Sequence, residues 1–325
     1  MTAARRTGIR IGGVMKANEF GIAIALILEI ILFAFLSPYF LTGENLLNVS
    51  LQTSITAIIA AGMTLVILTG GIDLGVGAVV AVTGVAATMV LKLGLPLLPG
   101  FILAAAAGLF IGAGSGAVAG LLITKFDITP FIATMALMTI WRGTAYLLTD
   151  GRPIWELPPE FGLIANSHIF GLPLPTIVMV LVFVLAYIVL TRTPFGRYVY
   201  AIGGNSEAAR LAGISVHRHL ISVYIICGGL ASVSGILLAS RMNSGQPNAG
   251  LMYELDVIAA VVVGGTSLQG GRGSMVGTFI GAMLIGILRN GLNLLNVNSY
   301  VQMVVVGIVI VVAVMIDKLR TRTTH

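Results

Sequence analysis

Long apolar stretches separated by short polar breaks run the length of the chain. Most approach the length, about 20 residues, at which a helix crosses about 30 Å of hydrocarbon. They lie at Phe20–Leu36, Leu51–Thr69, Val76–Leu91, Gly100–Ile123, Phe131–Leu148, Pro175–Leu190, Leu220–Ser240, Leu255–Gly264, Met275–Leu288 and Tyr300–Ile316. This predicts an all-α polytopic membrane protein with about ten transmembrane helices, some of them short enough to be broken or tilted. One membrane domain, residues 20–317, is expected between polar tails at 1–19 and 318–325. The pattern is interrupted once by a structured polar segment, Gly196–Leu220, GRYVYAIGGNSEAARLAGISVHRHL. Within it Asn205 or Ser206 can cap a short helix Glu207–Leu211, with an acid in its first turn, Arg210 near its last and Gly213 placed to end it. Such a helix either docks onto another protein or lies as an amphipathic connector on lipid headgroups.

Composition agrees with a lipid environment. Hydrophobic residues make up 57% of the chain and charged residues 9%, and mean hydropathy is +1.03. The cations cluster in the N-terminal segment (Arg5, Arg6, Arg10, Lys16), in the central loop 192–219 (Arg192, Arg197, Arg210, Arg218) and at the C-terminus (Lys318, Arg320, Arg322). Short cytoplasmic loops accumulate Lys and Arg, so both termini and the central loop are expected in the cytoplasm. The high pI, about 9.7, then reflects topology, and no nucleic-acid partner is expected. The first apolar run lacks a small-residue cleavage site after Leu36, so an uncleaved first helix is expected. The single cysteine, Cys227, excludes an intrachain disulfide, and its apolar surroundings suit a small packing residue. The four histidines, His168, His217, His219 and His325, fall in loops or at the tail, so no metal site is expected.

Two glycine-dense segments, Thr69–Gly77 and Val263–Gly273, should break helices and allow close backbone approach. Irregular backbone at membrane depth survives only when buried in protein or lining a wet cavity. Neither segment has the Lys-Ser/Thr of a phosphate-binding loop, so nucleotide binding by this chain is not expected. Asp73, beside a membrane helix, either caps the helix that starts near Leu74 or contributes to transport. Glu29 lies mid-span, where a charge costs about 2.5–3.5 kcal/mol on insertion scales, so it is protonated or faces a partner helix. Arg142 and Arg289, near span ends, snorkel or pair with neighbours. No paired carboxylates or nucleophile-and-base set points to catalysis. The motif Gly112-Ala-Gly-Ser-Gly116-Ala117 resembles Gly277-Thr-Phe-Ile-Gly281-Ala282 five spans later. It marks an inverted repeat, glycine-mediated helix packing, or both.

Four blocks in order, GMTLVILTGGIDLGVGAVVAVTG (Gly62–Gly84), FIATMALMTIWRG (Phe131–Gly143), GRYVYAIGGNSEAARLAGI (Gly196–Ile214) and YELDVIAAVVVGGTSLQGGRGSMVGTFIGAMLIGILRNGLNLL (Tyr253–Leu295), resemble the permease subunits of bacterial ABC importers for monosaccharides. The resemblance implies the ABC importer permease fold of the vitamin B12/ribose type, in the bacterial inner membrane. It implies a second permease copy, an ABC ATPase on the cytoplasmic face and an external sugar-binding protein that delivers ribose or a related sugar. By position, Asn205, Ser206, Glu207, Ala208, Ala209, Arg210, Leu211 and Gly213 would form the coupling helix that sits on the ATPase. The loops Asp150–Pro175 and Arg241–Glu254 would receive the binding protein. Candidates for the sugar pathway are Gln52, Thr53, Asp73, Thr134, Asn290 and Asn293, though each uncharged one also suits a helix-packing hydrogen bond. No cofactor is expected in this chain. An ion-coupled secondary sugar transporter is the competing reading, and Glu29 and Asp73 are too few and too far apart to form its charge relay.

Overall fold

A computed structural model describes the backbone of residues 8–322 and the side chains of residues 19–315. Arg5, Arg6 and His325 lie outside the described residues, as do the side chains of Arg10, Lys16, Lys318, Arg320 and Arg322. The described chain forms thirteen helices. They are α1 (Gly8–Leu36), α2 (Gly43–Leu68), α3 (Val76–Leu91), α4 (Leu97–Lys125), α5 (Pro130–Thr149), α6 (Pro159–Asn166), α7 (Leu174–Arg192), α8 (Pro194–Gly204), α9 (Ser206–Leu211), α10 (Val216–Met242), α11 (Tyr253–Val263), α12 (Met275–Leu294) and α13 (Ser299–Arg322). A two-residue hairpin, β1 (His168–Ile169) with β2 (Leu172–Pro173), joins α6 to α7.

Every expected span falls on one of these helices, and seven helices are long and apolar enough to cross a membrane. Two expectations need correction. The first helix starts at Gly8, so backbone helix extends well into the segment read as a tail. The central polar loop is mostly helical, because Pro194 at the first helical position and Thr193 as cap start α8 before α9 begins.

The core is built around α2, which is buried along most of its length and packs against α7, α10, α11 and α12. Helix pairing repeats across the two halves of the chain. α10 packs on α3 and α4, as α2 packs on α11 and α12; α3 meets α4 and α5, as α11 meets α12 and α13. α2 ends beside the Gly-rich segment before α12, where the Leu68 carbonyl accepts from Gly271 N–H at 2.9 Å, whereas α10 starts close to α9 on that same face. The units α2–α5 and α10–α13 therefore run in opposite directions, as in an inverted repeat. The glycine motifs that suggested the repeat do not occupy matching contacts. Gly112 and Gly116 face α10, at Gly228 and Tyr224, whereas Gly277 and Gly281 face the end of α11, at Gly264 and Ala260.

At each of these contacts a side chain would enter a neighbour's backbone, so glycine sets the interhelical distance. Gly116→Leu would drive its Cβ into the backbone of Tyr224 and Ile225 and should destabilise the protein by about 1–3 kcal/mol. Gly114→Leu, in open space one residue pair away on the same helix, should leave stability near wild type. Thermal melting of both variants in detergent checks the contrast.

Candidate coupling surface and membrane pathway

The polar island folds as two short helices fixed to the membrane core. Asn205 caps α9, its side chain accepting from Ala208 N–H at 2.9 Å. At the other end Gly213, at φ +86°, donates to the Arg210 carbonyl, and Ile214 N–H donates to the Ala209 carbonyl. Those two bonds form a Schellman stop, which needs the left-handed conformation that glycine adopts freely. Arg210 closes on Glu207 through two hydrogen bonds of 2.6 and 3.1 Å, which hold the Glu207 carboxyl below its usual range. Ala209 is buried inward, while Leu211 is 78% exposed. The result is a short rigid helix that presents one apolar side chain and one ion pair to solvent.

α8 carries this helix against the core. Gly203 sits where a side chain would strike the Leu68 carbonyl and Gly271 N, and the Tyr200 hydroxyl donates to the Gly273 carbonyl at 2.9 Å. Phe195 and Tyr198 pack their rings against His219 at the start of α10. α9 is thus joined, through α8, to the end of α2 and to the Gly-rich segment 264–274 between α11 and α12. That segment is held in turn by Ser274, which caps α12 through Gly277 N–H and donates to Glu19 of α1.

Inside the bundle, two non-helical stretches enter the membrane from opposite faces. Residues 69–75 rise from the end of α2 to the start of α3, held by the Tyr224 and Thr134 hydroxyls, both of which reach the Ile72 carbonyl. Residues 243–252 descend from the end of α10 to the start of α11. There Arg142 donates to the carbonyls of Pro247 and Ala249 at 2.9 and 2.6 Å. The two stretches bring the starts of α3 and α11 together, since a side chain on Gly77 would collide with the Gly250 carbonyl and one on Gly250 with the Gly77 carbonyl. α3 spans about 24 Å and α11 about 16 Å, so end to end they match one bilayer crossing.

This geometry corrects the expectation for Arg241–Glu254. Ser244, Gly245, Pro247 and Gly250 are buried, and the segment serves as internal backbone for α11 rather than as a surface loop throughout. The reason is the one anticipated for glycine-dense segments: unpaired backbone at depth must be covered by protein. The segment Asp150–Pro175, in contrast, holds α6, which buries Phe161 and Ala165 against α10 and exposes its other face, and the β-hairpin, whose tip residue Phe170 is 99% exposed.

The structure separates the predicted pathway residues. Asn290 and Asn45 exchange amide hydrogen bonds at 2.9 and 3.0 Å, tying α12 to α2. Thr53 is buried against Gly286, and its hydroxyl has no partner among the described residues. Thr134 is buried at the start of α5, Gln52 is half-buried, and Asp73 turns back to accept from Gly75 N–H at 2.9 Å. Asn293 is exposed at the far end of α12, where it accepts from Gln302 and lines an open cavity of about 550 Å³ with Asn296, Asn298 and Tyr300. Glu29 lies on the α12-facing side of α1 with one carboxyl oxygen buried and unpartnered among the described residues. Sequence reasoning passed over Asp256, which is buried and paired with Arg289 at 2.6 Å, and Glu254, whose carboxylate occupies the space beside Gly77. The signal was present in the acids of Tyr253-Glu-Leu-Asp256 at the start of a short apolar span.

Comparison with known proteins places this architecture. Residues 45–314 match the family model described as branched-chain amino acid transport system / permease component. The ribose import permease protein RbsC of Bacillus subtilis (strain 168) is 47% identical over 312 residues, 95% of each chain. RbsC of Escherichia coli (strain K12) is 48% identical over 298 residues, covering 90% of this chain and 92% of that one. The D-allose transport system permease protein AlsC of Escherichia coli (strain K12) is 35% identical over 303 residues, 93% of this chain and 92% of that one. No solved structure matches significantly.

The reciprocal Asn45–Asn290 pair is expected to behave as one unit. Asn45→Ala and Asn290→Ala should each lower stability, with a coupling of about 0.6–1.7 kcal/mol. A double-mutant cycle by thermal or denaturant unfolding in detergent measures it.

Proposed function

The chain belongs to the branched-chain amino acid transport system / permease component family, and on that premise we propose that two copies of it form the pathway by which an ATP-driven importer carries ribose or a closely related sugar. It is the membrane-spanning permease subunit of an ABC sugar importer, a multi-pass protein that works with a separate ATPase and with a binding protein that delivers substrate. The choice of ribose rests on the identity with RbsC, which exceeds that with AlsC. The Lys and Arg content of the terminal segments and the central loop supports a cytoplasmic position for both termini and α9, in the cell membrane of a bacterium.

What carries the reading is the mechanical continuity of α9 with the core. Residues Asn205, Ser206, Glu207, Ala208, Ala209, Arg210, Leu211 and Gly213 form the ATPase-coupling surface. Leu211, 78% exposed, offers the ATPase an apolar contact, and the capped ends keep α9 from deforming as it is pushed. ATP-driven closure of the ATPase pair moves α9, and α8 passes the displacement to Leu68 and Gly271 through the seat of Gly203 and the Tyr200–Gly273 bond. Those contacts stand at the bases of both broken helices. A small displacement there changes which face the pathway opens to, because a packed interface shifts between discrete arrangements.

Gln52, Thr53, Asp73, Thr134, Asn290 and Asn293 remain the proposed polar contacts along the route. Asn293 stands at its outer mouth, and Thr134 and Asp73 lie beside the unwound segment 69–75. Asn290 contributes through the alignment of α12 on α2. Thr134, Asn290 and Asn293 are uncharged and already hydrogen-bonded within the protein, so they offer a sugar weak, exchangeable contacts, which suits passage rather than retention. The exposed hairpin and α6 on the opposite face from α9 form the landing surface for the binding protein.

Purification from native membranes in mild detergent should bring down a cytosolic ATPase. A chain that purifies alone and still carries sugar in liposomes would make it a secondary transporter. Glu207→Arg removes the acid from the first turn of α9 and places like charges on one face at 207 and 210. Sugar-stimulated ATP hydrolysis should fall to the basal rate while membrane insertion is retained. Unchanged stimulation would remove α9 from the mechanism.

A further inference from the structure

Two helix starts that face each other inside a membrane create an electrostatic problem. Each carries about half a positive charge from its unpaired N–H groups. The inner side of the junction of α3 and α11 is apolar and buried at Val76, Val80 and Val257, while Glu254 is half-buried at its edge. Two like partial charges in that environment repel strongly, and repulsion would drive the half-helices apart. An anion between them would remove the conflict.

The structure supplies one. Glu254 belongs to the first turn of α11, yet its Oε2 lies in the space that a side chain on Gly77 would need, at the first turn of α3. Asp73 accepts from Gly75 N–H at the start of α3, and the Glu254 carboxylate is the one that lies against the first turns of both helices. Gly77 makes this possible, as any larger residue would displace the carboxylate and the Gly250 carbonyl together. Arg142 completes the arrangement from α5. It holds the descending chain at Pro247 and Ala249, next to Gly250, and so fixes the backbone that the Glu254 carboxylate lies against. The neighbouring acid Asp256 is occupied elsewhere, by Arg289 of α12, so it cannot take this place.

We infer that Glu254 is a positioning residue that locks the half-helices α3 and α11 head to head, with Arg142 as its partner, and that transport requires this lock to open and re-form. The inference rests on the transport reading above. It assigns the moving part of the pathway to the Gly77–Gly250 contact, where backbone meets backbone beside the Glu254 carboxylate.

The test uses the full chain reconstituted in liposomes with the ATPase and binding protein that co-purify with it, and radiolabelled ribose as probe. A separate reporter, Val80→Cys in a Cys227→Ala background, places a thiol against Gly250, and its reaction with N-ethylmaleimide needs no substrate. Glu254→Gln keeps the shape and removes the charge. It should speed thiol labelling about tenfold and slow ribose uptake about tenfold, with KM for the loaded binding protein unchanged. Arg142→Gln should slow uptake similarly, and the double variant should be no slower than the worse single one. If Glu254→Gln is not recovered folded, Gly77→Ala displaces the same carboxylate and should raise labelling likewise. Labelling at the wild-type rate, or effects of Glu254→Gln and Arg142→Gln that simply add, would overturn the lock. Failure of the wild-type assembly to move ribose would instead count against the substrate reading, since the labelling result stands without it.

Discussion

Backbone N–H and C=O groups inside a membrane must find partners within the protein, and this constraint shapes the molecule more than any single contact. An unbroken helix meets it automatically, but residues 69–75 and 243–252 are not helical. Their carbonyls depend on Tyr224, Thr134 and Arg142, side chains delivered by α5 and α10. The remaining bundle can be understood as the cover these two stretches require. α2, α10 and the inner faces of α4, α5 and α12 exclude lipid from them, and the buried valines and alanines of α3 and α11 complete the seal.

Glycine has two distinct tasks in this cover. Along α4, Gly112 and Gly116 let two continuous helices approach until backbone touches backbone. At Gly77, Gly203 and Gly250 it lets a helix end, a cytoplasmic helix and a re-entrant chain meet backbone to backbone. Contacts of the first kind are broad and spread along the helix, so they resist movement. Those of the second kind are points, and a point contact between two backbones can part and re-form with little repacking. Rigidity and motion therefore use the same residue in different geometry.

The cytoplasmic helices connect to the points rather than to the broad seams. α8 touches Leu68, Gly271 and Gly273, where the chain leaves one helix to enter another, and rests on His219 at the start of α10. A force applied at α9 arrives where the backbone is already irregular, and the long seams of α4 on α10 are left intact. Two capping motifs hold α9 to six residues without fraying, which keeps such a short lever stiff.

The approximate limits of the apolar helices were legible in the sequence, because apolar length is a local property and lipid enforces it. So were the ends of α9, since Asn205 and Gly213 act on their immediate neighbours. The four long blocks also carried the family, confirmed by the match over residues 45–314. Tertiary structure alone decided what the polar residues inside the membrane do. Nothing local distinguishes Asn290, tied to Asn45 across 245 positions of sequence, from Asn293, open to a cavity one turn away. Nor could spacing show that Arg142 would reach Pro247 and Ala249, or that the acid beside Gly77 would come from Glu254. A membrane span is set by the solvent that every residue in it shares, and so it can be read along the chain; a buried charge finds its partner only where two distant segments are folded against each other.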